Sequence, residues 1–261
     1  MIYMDNYEAF KKDVYALTKI DLSSYKEKQM RRRIDSLIKK NNCDSYDAYV
    51  KLLRTNQKIF EEFVNFLTIN VSEFYRNPEQ WDFLVNEFVP ELIHKFGANL
   101  RIWSAACSTG DEPYSLVMAL SEHLDLSKIK IYATDIDKQV IATAKVGLYS
   151  EKSIANVPEV YKKKFFTKVG QSYQISEQVK RCVEFKEHNL LSDPYPKDCH
   201  LIVCRNVLIY FTDEAKNEVY EKFAKALKDG GILFIGSTEQ VTDYKSMGYK
   251  RRYSFYYEKE E

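Results

Sequence analysis

No stretch of this 261-residue chain approaches the roughly 20 apolar residues that a membrane-spanning helix needs. Its opening segment, MIYMDNYEAFKKDVY, has neither an uninterrupted hydrophobic run nor a small-residue cleavage site. Both absences point to a cytoplasmic protein with no direct membrane insertion. Net charge is nearly absent too: 39 Lys and Arg against 38 Asp and Glu leave +1. That balance argues against a general binder of polyanions and leaves room only for local patches. The five cysteines, Cys43, Cys107, Cys182, Cys199 and Cys204, are odd in number, scattered and without a C-x-x-C pair. Reduced thiols are therefore expected, with no disulfide framework and no metal site. Internal repeats and low-complexity segments are also missing.

What is present is material for a large core, 45% hydrophobic and 14% aromatic residues, at a length that suits one α/β domain with a smaller companion. Apolar residues recur at helical spacing through residue 68, as in Met30, Ile34, Leu37 and Ile38, so residues 1–68 are expected to form a small helical domain. Ser24 with Glu27 reads as a capping box for the second helix, and Ser45 as the cap of the third. Asn77 with Pro78 reads as a cap and first-turn proline, and Pro90 as the kink or end of that helix. Beyond it, the apolar runs Leu100–Ser104, Ile129–Thr134, Leu201–Cys204 and Ile232–Ile235 alternate with helical stretches. Residues 69–261 are thus expected to be a doubly wound, mostly parallel α/β domain. A small antiparallel β insertion is expected at about 150–185, built from SYQIS and VKRCVEFKE, and a closing antiparallel hairpin at Gly248–Tyr257.

In such a sheet, ligands bind beyond the carboxyl ends of the strands, where strand order reverses. The turn after the first strand, within RIWSAACSTGDEPYSL at 101–116, lacks both the G-x-G-x-x-G fingerprint and the phosphate-binding lysine motif. Asp111 and Glu112 stand at the helix start instead. They complement the helix dipole, and they would repel a pyrophosphate while suiting a cationic nucleoside ligand. The second strand ends in ATDID, which makes Asp135 the candidate for ribose hydroxyls and Asp137 an ordinary helix cap. HNLL at 188–191 and CRNVLIYF at 204–211 each place an Asn after a strand, where its amide can read adenine or a methionyl group or simply form a turn.

Together with TINVSEFYR at 68–76, these segments resemble the chemotaxis receptor-glutamate methyltransferases, the CheR family, over nearly the whole chain. The resemblance implies S-adenosyl-L-methionine as cofactor, S-adenosyl-L-homocysteine as product, and no metal. It implies cofactor contacts from Asn70, Ser72, Arg76, Glu112 and Asp135, from Asn189 with Leu190, and from Asn206 with Val207. It places Arg76 and Tyr210 near the transferring methyl as the catalytic pair. Asp111 stands where the family more often has Glu, and Ser72 where Thr also occurs; neither departure removes a functional group.

The implied acceptor is a glutamate on the cytoplasmic helices of a chemoreceptor. With a pKa near 4.3 it is already ionised at neutral pH, so the catalyst's task is placement rather than proton abstraction. Residues 25–40 hold seven basic and two acidic residues, and Arg31, Arg32 and Arg33 are expected to include substrate-docking positions, although helical spacing turns them to different faces. The short turn KVGQSY at 168–173 favours docking without a tail tether. No nucleic-acid partner is expected, because the Asn/Asp-Pro-Pro-aromatic and Pro-Cys motifs of nucleic-acid methyltransferases are missing, and the chain is read as a monomer. A nucleic-acid methyltransferase and a receptor-docking module without turnover stand as the alternatives.

Overall fold

The computed structural model describes residues 6–260, so residues 1–5 of the expected first helical stretch lie outside the described residues. The chain forms two compact units. One holds the chain through Asn70 together with Leu208–Asn217; the other holds Val71–Val207 with Glu218–Glu261.

In the first unit the expected helical periodicity becomes helices at Tyr7–Thr18, Glu27–Lys40, Tyr46–Thr55 and Gln57–Thr68. Met30, Ile34, Leu37 and Ile38 are all buried, as their spacing requires. The unit is centred on an aromatic cluster of Tyr7, Phe10, Tyr46 and Phe63. Ser45 caps its helix as expected, accepting from the Ala48 amide at 3.2 Å. The Ser24–Glu27 capping box does not form: Lys26 is the helix-capping position and offers no side-chain bond. Ser24 instead lies in a 3₁₀ turn, and its carbonyl accepts from the Thr212 amide at 2.9 Å. The segment containing Tyr210 supplies that competing partner, since the Tyr210 carbonyl also accepts from the Lys26 amide at 2.9 Å.

The second unit begins its helical part with Pro78–Phe83, Leu84–Phe88 and Val89–Phe96, a continuous helix whose middle portion is a π-helical turn. Pro90 therefore neither ends nor breaks it. The widened turn just before the proline absorbs the missing N–H and the clash with the preceding carbonyls. Asn77 precedes the helix with φ 58° and no capping bond; its side chain is used elsewhere, as described below.

The strands are β1 (Ile102–Ala105), β2 (Ile131–Asp135), β3 (Leu148–Ser150), β4 (Phe166–Val169), β5 (Ser172–Ile175), β6 (Val183–Glu187), β7 (Cys199–Cys204), β8 (Leu227–Ile235), β9 (Tyr249–Tyr253) and β10 (Tyr256–Lys259). Seven of them form one sheet in the order β6-β2-β1-β7-β8-β10-β9. The first five in that order run parallel; β10 and β9 close the edge antiparallel. The doubly wound expectation holds, with the reversal of strand order between β1 and β7. β1 and β7 are buried on both faces, as central parallel strands must be. β3, β5 and β4 make the small antiparallel sheet. VKRCVEFKE is not part of it: Val183–Glu187 pairs parallel with β2 in the main sheet, and a short helix, Glu177–Lys180, separates it from SYQI. All five cysteines are free thiols.

Candidate functional site

Beyond β1 the chain turns sharply, with Ala106 (φ 71°), Ser108 (φ 47°) and Gly110 (φ 90°) in left-handed backbone. Gly110 is required there, because a Cβ would fall 2.9 Å from the Ala144 Cβ and 3.1 Å from the Tyr149 hydroxyl. The strain at the other two positions is offset by backbone bonds: the Cys107 amide donates to the Thr134 carbonyl at 2.8 Å, and the Ser108 amide to Asp135 Oδ2 at 2.8 Å. The turn opens directly into the helix Asp111–Leu120.

Asp135, at the end of β2, is buried. Its Oδ1 accepts from the Asp137 amide at 3.0 Å. A carboxylate offers about four acceptor sites, so acceptor capacity remains beside these amides for a pair of hydroxyls. Burial pushes its pKa up to about 6, against the opposing pull of the backbone amides. Asp137 is the helix cap expected of it, accepting from the Gln139 amide at 2.8 Å.

The two acids at the start of the Asp111–Leu120 helix do not act as a pair. Asp111 is buried, and it accepts from the Thr109 hydroxyl at 2.5 Å and from the Ser72 hydroxyl. Ser72 thus secures the segment before the first long helix of this unit to the turn after β1. Glu112 faces the strand side and accepts from the Ser104 hydroxyl at 2.8 Å. Burial pushes its pKa up to about 7, while the Arg205 charge pulls it the other way. One acid, partly balanced by an arginine, addresses the crevice where two acids had been expected.

Arg205 was not singled out from sequence, yet it organises the crevice. It lies buried just past β7, and its Nη2 donates to the Arg76 carbonyl at 2.7 Å, Gln80 Oε1 at 2.6 Å and Asn77 Oδ1 at 3.3 Å. Its guanidinium sits 4.7 Å from the Phe234 ring centroid and 5.5 Å from that of Trp81. Glu239 is the second residue that sequence reasoning missed. It accepts from the Gly236 amide at 2.8 Å, the Asn206 amide at 2.7 Å and the Val207 amide at 3.1 Å, and so holds Asn206 in its left-handed conformation at φ 60°. An Arg directly before the marked Asn was visible in CRNVLIYF, but its partners come from another part of the chain.

The remaining predicted residues fall as follows. Asn206 Oδ1 is buried without a partner, as are Ser108 Oγ and Arg205 Nε. Asn189 follows β6 in a turn, its Oδ1 accepting from the Leu191 amide at 2.9 Å, and the buried Leu190 accepts at its carbonyl from the Tyr195 hydroxyl at 2.7 Å. Arg76 makes one long bond, 3.4 Å to the Val71 carbonyl. Asn70 and Tyr210 belong to the helical unit; the Asn70 side-chain amide donates to the Thr68 hydroxyl at 2.8 Å. In that same unit, Arg31 donates to the Tyr46 hydroxyl at 3.2 Å and lies over the Tyr7 ring. Arg33 donates to the Phe66 carbonyl at 2.7 Å with its guanidinium over the Phe66 ring. Arg32 is exposed.

A doubly wound sheet with an acid closing β2 and unpaired polar atoms past β1 and β7 is a nucleoside-binding arrangement. A model of the CheR methyltransferase SAM binding domain matches residues 70–254, and a model of the CheR methyltransferase all-alpha domain matches residues 5–68. The fold and site are thus those of the S-adenosylmethionine-binding methyltransferases. A chemotaxis protein methyltransferase of Listeria innocua is 40% identical over 238 residues, covering 91% of this chain and 91% of that protein. Those of Borreliella burgdorferi and Escherichia coli K12 are 34% and 30% identical over 251 and 239 residues, covering 91% and 88% of this chain and 89% and 82% of theirs. The chain belongs to the CheR family of chemotaxis protein methyltransferases.

Proposed function

We propose that this chain transfers the methyl group of S-adenosylmethionine to glutamate side-chain carboxylates of chemoreceptors, yielding glutamyl methyl esters and S-adenosylhomocysteine in chemotactic adaptation. The observation that carries the cofactor reading is the set of buried, unpartnered polar atoms at Ser108, Arg205 and Asn206, beside the raised carboxylates of Glu112 and Asp135. Buried polar atoms without partners are rare, and a polar ligand satisfies them. The acceptor reading rests on membership of the family and on the names of its relatives.

Asp135 takes ribose hydroxyls beside the amides it already holds, and Asn206 offers its free carbonyl oxygen to an amine. Glu112 gains a proton-donating or cationic partner that makes its ionised form favourable. Asn189 with Leu190 and Val207 line the same ligand, and Asn70 and Ser72 frame the segment that carries Arg76. When bound, the cofactor supplies an electrophilic methyl on a sulfonium. The acceptor needs no general base, because a glutamate is already a carboxylate at neutral pH. The protein's work is to align that carboxylate, exclude the water that hydrates it and tolerate the loss of charge as the sulfonium is neutralised. Arg76 pairs with a carboxylate, and Tyr210 orients the acceptor through its phenol. Arg32, exposed on the basic helix, is the docking position among the three arginines; Arg31 and Arg33 support it by packing.

The test is to incubate the protein with methyl-labelled cofactor and receptor-containing membranes. Label entering protein as a base-labile ester is the expected result. Base-stable label, label in RNA or no incorporation would each overturn the assignment, the last favouring a docking module without turnover. Tyr210→Phe is expected to slow transfer while leaving cofactor affinity intact, and full turnover in that variant would remove its role.

A further inference from the structure

The end of the sheet opposite the crevice carries a second concavity. A groove of about 930 Å3 opens at the amino-terminal ends of β1, β2, β6 and β7. The parallel register builds its charge: Ile102 pairs with Ile131, and Ile131 with Val183, so the residues that enter these strands come to one level. Those residues are basic. Arg101 and Lys130 directly precede β1 and β2, Arg181 stands two residues before β6 and Lys197 two before β7, and Lys128 lies in the turn leading to β2; all five line the groove. Glu184 is its one acidic lining residue.

Most of this charge is uncommitted. Lys128, Lys130, Arg181 and Lys197 are exposed, and among the described residues none of the four is held in an ion pair. Arg101 has one loose ion-pair partner, Asp198 at 3.8 Å, and its Nη1 donates to the Lys197 carbonyl at 3.2 Å. The field extends behind the groove, where burial and the charges of Lys228 and Arg101 lower the pKa of His200. A convex lysine-rich surface is ordinarily just solvated, but five cations converging on a concave site repel one another with only Glu184 and Asp198 close by to offset them. Partly buried apolar surface from Tyr132 and Pro196 also lines it.

We propose that this groove binds a small molecule bearing two or more phosphates on a nucleoside-sized body, at a site separate from that of the methyl donor. Clustered cations suit several phosphate oxygens better than one carboxylate, and a concavity of about 930 Å3 suits a small ligand better than a helix laid along it. Arg101 and Arg181 offer forked donors, and the lysines supply point charge.

The test titrates the full chain with ATP and, separately, with inorganic pyrophosphate in about 150 mM salt by calorimetry. The protein carries either Lys130→Glu with Lys197→Glu, or the control pair Lys152→Glu with Lys163→Glu, exposed residues elsewhere that change net charge equally. Saturable binding of ATP is expected, weakened at least about tenfold by the groove pair and less than about twofold by the control. S-adenosylhomocysteine affinity should stay within about twofold in both. Should the groove pair fail to fold, Lys128→Gln with Lys197→Gln gives the same reading with a smaller charge change. Absence of saturable binding, equal weakening by both pairs, or displacement of ATP by S-adenosylhomocysteine would each overturn the proposal. Binding only of an acidic protein segment or of RNA would do so as well.

Discussion

Replacing Glu112 by Gln should make the free protein more stable and its cofactor complex weaker. The Glu112 pKa rises from 4.5 to about 7 because burial disfavours its charge more than Arg205 and Ser104 favour it. A folded pKa raised above the unfolded one means that the contribution of this group is fully present below about pH 4.5 and lost as pH rises through about 7. At about 1.4 kcal/mol per unit, the ionised carboxylate costs the folded state roughly 3 kcal/mol at about pH 8 and under about 1 kcal/mol at about pH 5. Gln keeps the acceptor for the Ser104 hydroxyl and removes the charge. Denaturant unfolding of the ligand-free protein should therefore show Glu112→Gln more stable by about 2–3 kcal/mol at about pH 8, with the gap mostly closed at about pH 5. Titration with S-adenosylhomocysteine should show the opposite ranking, with wild-type affinity rising with pH through about 7 and the variant lacking that step. A variant less stable at alkaline pH, or a stability gap independent of pH, would refute the argument that Glu112 is a destabilised carboxylate awaiting a ligand.

Arg205→Leu removes the donor to the Arg76 carbonyl, Gln80 and Asn77, and should cost about 3–5 kcal/mol by equilibrium unfolding. The same variant should raise the Glu112 pKa further, seen as an upward shift in the pH step for cofactor binding. Glu239→Gln turns an amide N–H₂ toward backbone amides that now share a carboxylate. About 1.5–3 kcal/mol is expected from each lost charged bond, along with a higher KM for cofactor as the Asn206 turn loosens. In the helical unit, Arg33→Ala should destabilise by about 1–3 kcal/mol by stranding the Phe66 carbonyl, as thermal unfolding would show. Arg32→Ala should leave stability within about 0.5 kcal/mol and lower the receptor methylation rate in a salt-dependent manner.

Local chemistry was legible wherever the deciding partner was close in sequence. Ser45 and Asp137 cap their own helices, the apolar runs of β1, β2, β7 and β8 became buried strands, and Met30, Ile34, Leu37 and Ile38 met on one buried face. Those outcomes depend on dihedral preference, hydrogen bonds across a few residues and hydrophobic periodicity, all of which a sequence displays. Reading failed where a distant partner intervened. Ser24 gave up its cap for Thr212, Asn77 kept the cap position before Pro78 but turned its side chain to Arg205, and VEFKE left the insertion to pair with β2.

The same division runs through the site. The sequence by itself determined the doubly wound sheet, the acid closing β2, the turn after β1 and the family to which the chain belongs. Only the tertiary structure decided that Asp111 turns to Thr109 and Ser72 while Glu112 is set against Arg205, that Glu239 shapes the Asn206 turn, and that basic residues from four strand ends converge on one groove. Charge acts through space, and its strength depends on how much water folding removes, so a carboxylate's role is set by neighbours that its own segment of chain does not contain.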